Sequence, residues 1–104
     1  MRAMAEEPRI EMDYFGGSAP VQAWGTINGR PFYFRARHAH WSFAVSLDPT
    51  VDPADIAYPD QGFYREEIYD VNGPASASYM PHDEAETIIR RCVAQFIEDS
   101  RTEQ

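Results

Sequence analysis

Residues 21–45 read VQAWGTINGRPFYFRARHAHWSFAV. Asn28-Gly29 is a strong hairpin signal, because a type I′ turn needs two residues that tolerate positive φ. A two-residue loop there sets Ile27 against Arg30, Gly25 against Phe32, Ala23 against Phe34 and Val21 against Ala36. A second two-residue loop at His38-Ala39 sets Ala36 against Trp41, Phe34 against Phe43 and Phe32 against Val45. Side chains alternate between faces along a strand, so a wrong register would scatter these residues. Here all the strongly apolar partners share one face. Three antiparallel strands over about 21–27, 31–37 and 40–46 follow.

The flanking sequence adds elements on either side. Arg9-Ile10-Glu11-Met12-Asp13-Tyr14 alternates polar with apolar residues and predicts a first strand. Residues 63–71 predict a last one, with Phe63, Tyr69 and Val71 on one face and Tyr64 and Ile68 on the other. Between them, residues 47–62 (LDPTVDPADIAYPDQG) hold three prolines and four aspartates. Val51, Ile56 and Tyr58 give this excursion something to bury, and Asp52 suits the cap of a short turn at Pro53. An excursion this long is often functional. Residues 75–80 read as a short extended piece. Ala85, Ile88, Ile89, Cys92, Val93, Phe96 and Ile97 recur at helical spacing and predict a helix over about 83–99. Asp83 and Glu86 are spaced as a capping box at its start. The expected fold class is α+β: an antiparallel meander of four to five strands with one C-terminal α-helix packed on one face. Residues 1–8 read as a flexible N-terminus, and residues 9–104 as a single domain.

Length and composition narrow the function classes. A chain of 104 residues supports one modest core. No apolar run has the length of a membrane span or an export signal, which predicts a cytoplasmic protein with no membrane partner. A single cysteine, Cys92, rules out an internal disulfide and suits a reducing compartment. All nine basic residues are arginine, and the net charge is −8. That balance argues against direct binding of double-stranded nucleic acid. The charge is also segregated. Residues 21–45 carry Arg30, Arg35 and Arg37 and no acid. Residues 46–84 carry Asp48, Asp52, Asp55, Asp60, Glu66, Glu67, Asp70, Asp83 and Glu84 against Arg65 alone, a balance of −8.

The sheet face turned away from the helix carries Trp24, Tyr33, Arg35, Arg37 and His40. In the register above, Trp24 faces Tyr33 and Arg37 faces His40. Three readings of this face stand open. It can be cross-strand packing half covered by the excursion. It can be a protein-binding patch, a homodimer interface included, since Trp, Tyr and Arg are the residues enriched at interface hot spots. It can be a stacking platform for single-stranded nucleic acid, against which the net charge argues.

Catalytic and cofactor motifs are missing from the sequence. It contains no phosphate-binding glycine loop, no Gly-x-Ser-x-Gly elbow and no dinucleotide fingerprint. The aspartates of the excursion lack EF-hand spacing. His38, His40 and His82 have no sequence-placed third metal ligand. Cys92 sits on the apolar helix stripe and reads as core. The expectation is a non-enzymatic binding protein with no cofactor. Its acidic residues Asp48, Asp52, Asp55, Asp60, Glu66, Glu67 and Asp70 can imitate a row of phosphates toward a protein partner with a basic surface. In size, acidity and lack of catalytic motifs the whole chain resembles the small acidic proteins of phages and mobile elements, among them the anti-CRISPR proteins. That resemblance rests on no signature residue. It implies a stoichiometric inhibitor that blocks the DNA channel of an effector complex. The alternative is a small structural or dimerising accessory protein that works through Trp24, Tyr33, Arg35, Arg37 and His40. A small enzyme is the least favoured class.

Overall fold

The computed structural model describes residues 9–48, 50–56, 62–71 and 73–102, with side chains as far as residue 100. The expected N-terminal tail, Tyr58 and Asp60 lie outside the described residues. Five strands, β1 (Ile10–Gly16), β2 (Val21–Ile27), β3 (Arg30–Arg37), β4 (His40–Val45) and β5 (Phe63–Ile68), form one antiparallel sheet in sequence order. The fold is the α+β meander that the periodicity predicts. The register of the central strands is also as read from the sequence, with Ala23 opposite Phe34, Phe34 opposite Phe43 and Phe32 opposite Val45. Asn28 and Gly29 both take positive φ, +52° and +83°, as a type I′ turn demands.

The inward face and the helix α1 (His82–Thr102) enclose the core. Phe32, Phe34, Phe43 and Val45 are fully buried, and Ala85, Ile88, Ile89, Cys92, Val93 and Phe96 meet them from the helix. Phe63 links the two layers edge-on, 6.1 Å from Phe43 and 5.3 Å from Phe96 between ring centroids. Burying a large apolar side chain contributes about 1.5–3 kcal/mol, so this layer dominates the fold's stability.

Three local expectations are corrected. The helix begins at His82, before Asp83, because the Pro81 carbonyl accepts from the amides of Glu84 and Ala85 and opens the ladder. Asp83 therefore lies inside the first turn, and Glu86 pairs with Arg90 at 3.0 Å instead of closing a capping box. β5 ends at Ile68: the Tyr69 amide makes one more bond in the same register, to the Ala39 carbonyl at 2.6 Å, and beyond it the chain opposite has turned back into β3, leaving Val71 exposed. Residues 76–79 form a 3-10 turn instead of an extended piece, and it inserts Ala77 with Met80 into the core.

Candidate functional site

The open face of the sheet is built from side chains at alternate positions, and one row crosses all five strands. Tyr14, Trp24, Tyr33, Ala44 and Tyr64 are successive cross-strand partners from β1 to β5. Tyr14 stacks on Trp24 with centroids 4.6 Å apart and planes inclined by 21°. Trp24 stands 6.4 Å from Tyr33. Tyr14 and Trp24 keep 40% and 39% of their surface exposed, although each is a large ring in a paired position.

Tyr14 reaches this face because β1 is bulged. Met12 pairs with Gly25 and Tyr14 with the adjacent Trp24, so Asp13 is the extra residue. Strict alternation would put Tyr14 on the same face as Ile10 and Met12. The bulge inverts it, turning Tyr14 outward and Phe15 toward the core. Gly25 makes this geometry available: a Cβ there would lie 1.9 Å from the Glu11 carbonyl oxygen.

Beside the aromatic row lie Gln22, Arg35, Ser42 and Glu66, then Arg37, His40 and Ile68. The Gln22 amide donates to the Tyr33 hydroxyl at 2.6 Å and orients it. Arg35 and Arg37 are exposed and make no ion pair with any described residue. Together with His40, Ser42, Tyr64 and Glu66 they line an open hollow of about 210 Å³. Its far wall is held by the Tyr64 hydroxyl donating to Glu66 at 3.0 Å. Burial and this carboxylate keep the Tyr64 phenol protonated above its ordinary range. The end of the hollow is the β3–β4 turn, where His38 takes φ +57°. That turn is pinned from below: the His38 amide donates to Ser78 Oγ at 2.7 Å, and its carbonyl accepts from Ala77 at 2.8 Å.

The opposite end of the open face is covered by the excursion. Its 3-10 turn at Pro53–Asp55 packs against β3 and β4. Ile56 is buried yet lies outside the core cluster, as does Ala44 on the open face. The helix occupies the other face, so the turn sits over the open face at its Ser46 end. The described part of the excursion is held by its own aspartates. Asp48 accepts from the Thr50 amide and hydroxyl at 2.9 and 2.8 Å, which holds its carboxyl below the usual range. Asp52 caps the turn by accepting from Ala54 at 2.9 Å.

The acidic residues named from the sequence do not share one face. Asp48, Asp52 and Asp55 are exposed on the excursion, and Glu66 is exposed on the open face. Glu67 points to the helix side, where Arg91 approaches it at 3.9 Å. Asp70 is exposed beyond the end of β5, and Asp60 lies outside the described residues. Arg65, the one base among them, is committed to Asp99 at 3.3 Å and lies over the Phe63 ring. Trp24, Tyr33, Arg35, Arg37 and His40, by contrast, do share one face.

The sequence reading missed Tyr14 and Tyr64 as members of the aromatic row. The signal for Tyr14 was the glycine at position 25 in an otherwise regular strand, since such a glycine marks a bulge or a close backbone approach. Cys92 is buried in the core, and burial pushes its thiol up to about 11. Among the described residues no three of His, Cys, Asp and Glu are grouped to hold a metal ion. None of the described helices is long and apolar enough to cross a membrane. No protein-family model, no curated protein and no solved structure matches this chain, so a functional reading rests on the geometry above.

Proposed function

We propose that this chain is a non-enzymatic binding protein and that the open face of its sheet is the surface that docks on another protein chain. The observation that carries the reading is the row of exposed Tyr14 and Trp24 with half-buried Tyr33, beside Arg35 and Arg37, arginines without an ion pair among the described residues. Large rings and arginine are the side chains that dominate interface energetics when water is excluded from them. Here the rings are prepositioned by stacking on strands, so little of their conformational entropy opposes docking. The test is a photocrosslinking amino acid at Tyr33 and, as control, at the exposed helix position Ala94, each expressed in the source cell. A covalent protein adduct at position 33 and none at 94 is the expected result. Equal labelling at both positions, or none at 33, refutes the docking face.

A second reading keeps the anti-CRISPR-type inhibitor. The observation that favours it is the described part of the excursion, which exposes Asp48, Asp52 and Asp55 on turns that Asp48 and Asp52 themselves hold, in a segment without a base. With Glu66, exposed on the open face, these carboxylates would meet a basic nucleic-acid channel. Changing all four to Asn or Gln should slow association with such a partner, because steering by charge acts mainly on the on-rate. An affinity indifferent to the substitutions and to salt removes this reading.

A further inference from the structure

The open face carries a projection and a hollow of opposite charge at opposite ends. At the Ser46 end stands the excursion, with Asp52 and Asp55 exposed on its 3-10 turn. At the His40 end lies the hollow of about 210 Å³, lined by Arg35, Arg37 and His40, with one acid, Glu66, on its far wall. Ser46 and His40 are six positions apart on the chain, which is roughly 20 Å along β4. Building on the docking face proposed above, we infer that its occupant is a second copy of this chain, with the acidic excursion of each copy seated in the basic hollow of the other.

The geometry selects one symmetry axis. Two copies of a sheet packed face to face can be related by a two-fold axis that runs along the strands or across them. An axis along the strands sets excursion on excursion, acid against acid. An axis across the strands, between the Trp24–Tyr33 row and the Gln22–Arg35 row, keeps β3 over β3 and reverses the rows. The row of Thr26, Pro31 and Ser46, which the excursion overhangs, then lies over the partner row of Arg37 and His40. Tyr33 lies over the partner's Arg35, the arrangement of a cation–π contact. Trp24 lies over the partner's Gln22. Every contact occurs twice, as an isologous interface requires, and the assembly closes at two copies without growing into a filament.

The size is adequate for a weak dimer. Five strands about 4.8 Å apart and a length of roughly 20 Å give about 500 Å² per copy in projection. The total of about 1,000 Å² stands at the threshold of a biological interface. Two chains of net charge −8 repel one another at long range, so the local pairing has to outweigh that repulsion. Salt screens both effects, and salt dependence alone is no diagnostic.

Charge exchange is the diagnostic. Sedimentation equilibrium over a micromolar-to-submillimolar series is run on wild type, R37E, D55R and an equimolar mixture of the two variants. Both positions are exposed, and circular dichroism melts confirm folding. Wild type should dimerise. Each variant alone should dimerise at least about tenfold more weakly, because each like-charge contact forms twice per dimer. The mixture should regain dimerisation, since the acidic hollow of R37E meets the basic excursion of D55R while the native hollow and excursion form the second contact. A wild type that stays monomeric, variants that dimerise as well as wild type, or a mixture that fails to recover each overturn the inference. A monomeric wild type that still gives an adduct to a different protein from position 33 overturns the second copy and leaves the docking face standing.

Discussion

Replacing Gly25 by alanine should unseat β1 and dismantle the aromatic row while leaving the core intact. A Cβ at position 25 would stand 1.9 Å from the Glu11 carbonyl oxygen and 3.0 Å from the Asp13 nitrogen. Ordinary contact begins near 3.4 Å, so β1 has to retreat by about 1.5 Å. A backbone hydrogen bond near 2.9 Å does not survive that displacement. Two or three bonds around the bulge are lost at about 1 kcal/mol each, and the Tyr14–Trp24 stack loses about 0.5–1.5 kcal/mol more. The alanine restricts the unfolded chain and returns about 0.4–1 kcal/mol. The net loss is therefore about 2–4 kcal/mol, a large share of the 5–15 kcal/mol typical of a small domain. Urea denaturation followed by far-ultraviolet circular dichroism measures it. Tryptophan fluorescence of the folded variant reports the stack separately, because Trp24 loses its ring partner. A change below about 0.5 kcal/mol with unaltered fluorescence would refute the bulge as drawn, and with it the outward placement of Tyr14.

Further expectations follow from the core and the titrating groups. Phe34→Ala should cost about 3–5 kcal/mol by chemical denaturation, as for a fully buried ring; less than about 1 kcal/mol would mean that the faces are assigned backwards. Cys92 should react slowly with a thiol reagent at neutral pH and rapidly once unfolded, because it is buried and its thiol is pushed up to about 11; equal rates would place it at the surface. The Tyr69 hydroxyl donates to Glu84, and this bond, more than burial or the nearby charges, pushes the phenol up to about 12. The folded state thus prefers the neutral phenol. The stabilisation is complete below the ordinary value of 10.0 and fades as pH rises through about 12. Comparing wild type with Tyr69→Phe by tyrosinate absorbance should show the variant losing one late-ionising phenol; a late phase unchanged by the substitution would refute the bond.

The sheet was legible because its register is overdetermined. The Asn28-Gly29 turn sets one pairing, and the apolar partners on β2, β3 and β4 leave no alternative that buries them together. The helix was legible for the same reason, since its seven apolar positions define one stripe. What failed was local. The start of α1 was misplaced because Asp83 has the chemistry of a cap, while the Pro81 carbonyl is free to begin the ladder one residue earlier. Tyr69 and Val71 continue the alternation of β5, but past the Tyr69–Ala39 bond the chain opposite has turned back into β3 and leaves no strand for Val71 to pair with. The candidate face was half legible. Trp24, Tyr33, Arg35, Arg37 and His40 follow from the register, but Tyr14 depends on a bulge that adds one residue and inverts the alternation. No count of polar and apolar positions locates that residue without the backbone of Gly25. That Glu66 and Glu67 are opposite in space follows from the alternation along β5, but no period places Asp48, Asp52 and Asp55 on either face, because the excursion is irregular.

The segregation of charge takes on a physical meaning once it is placed on the fold. In an acidic chain, isolated arginines ordinarily find carboxylates nearby, and among the described residues three do: Arg65 with Asp99, Arg90 with Glu86 and Arg91 with Glu67. All three pairs lie on the helix or on the sheet side facing it. Arg35 and Arg37 lie on the other side, where they share their hollow with Glu66, which accepts from the Tyr64 hydroxyl, and make no ion pair with a described residue. Asp52 and Asp55 stand at the far end of the same face, roughly 20 Å away and beyond the reach of any side chain. Among the described residues that separation is unrelieved. A two-fold axis across the strands relieves it twice over, which is why reversing one charge at each end and then mixing the two variants separates mutual docking from a surface that is merely acidic at one end and basic at the other.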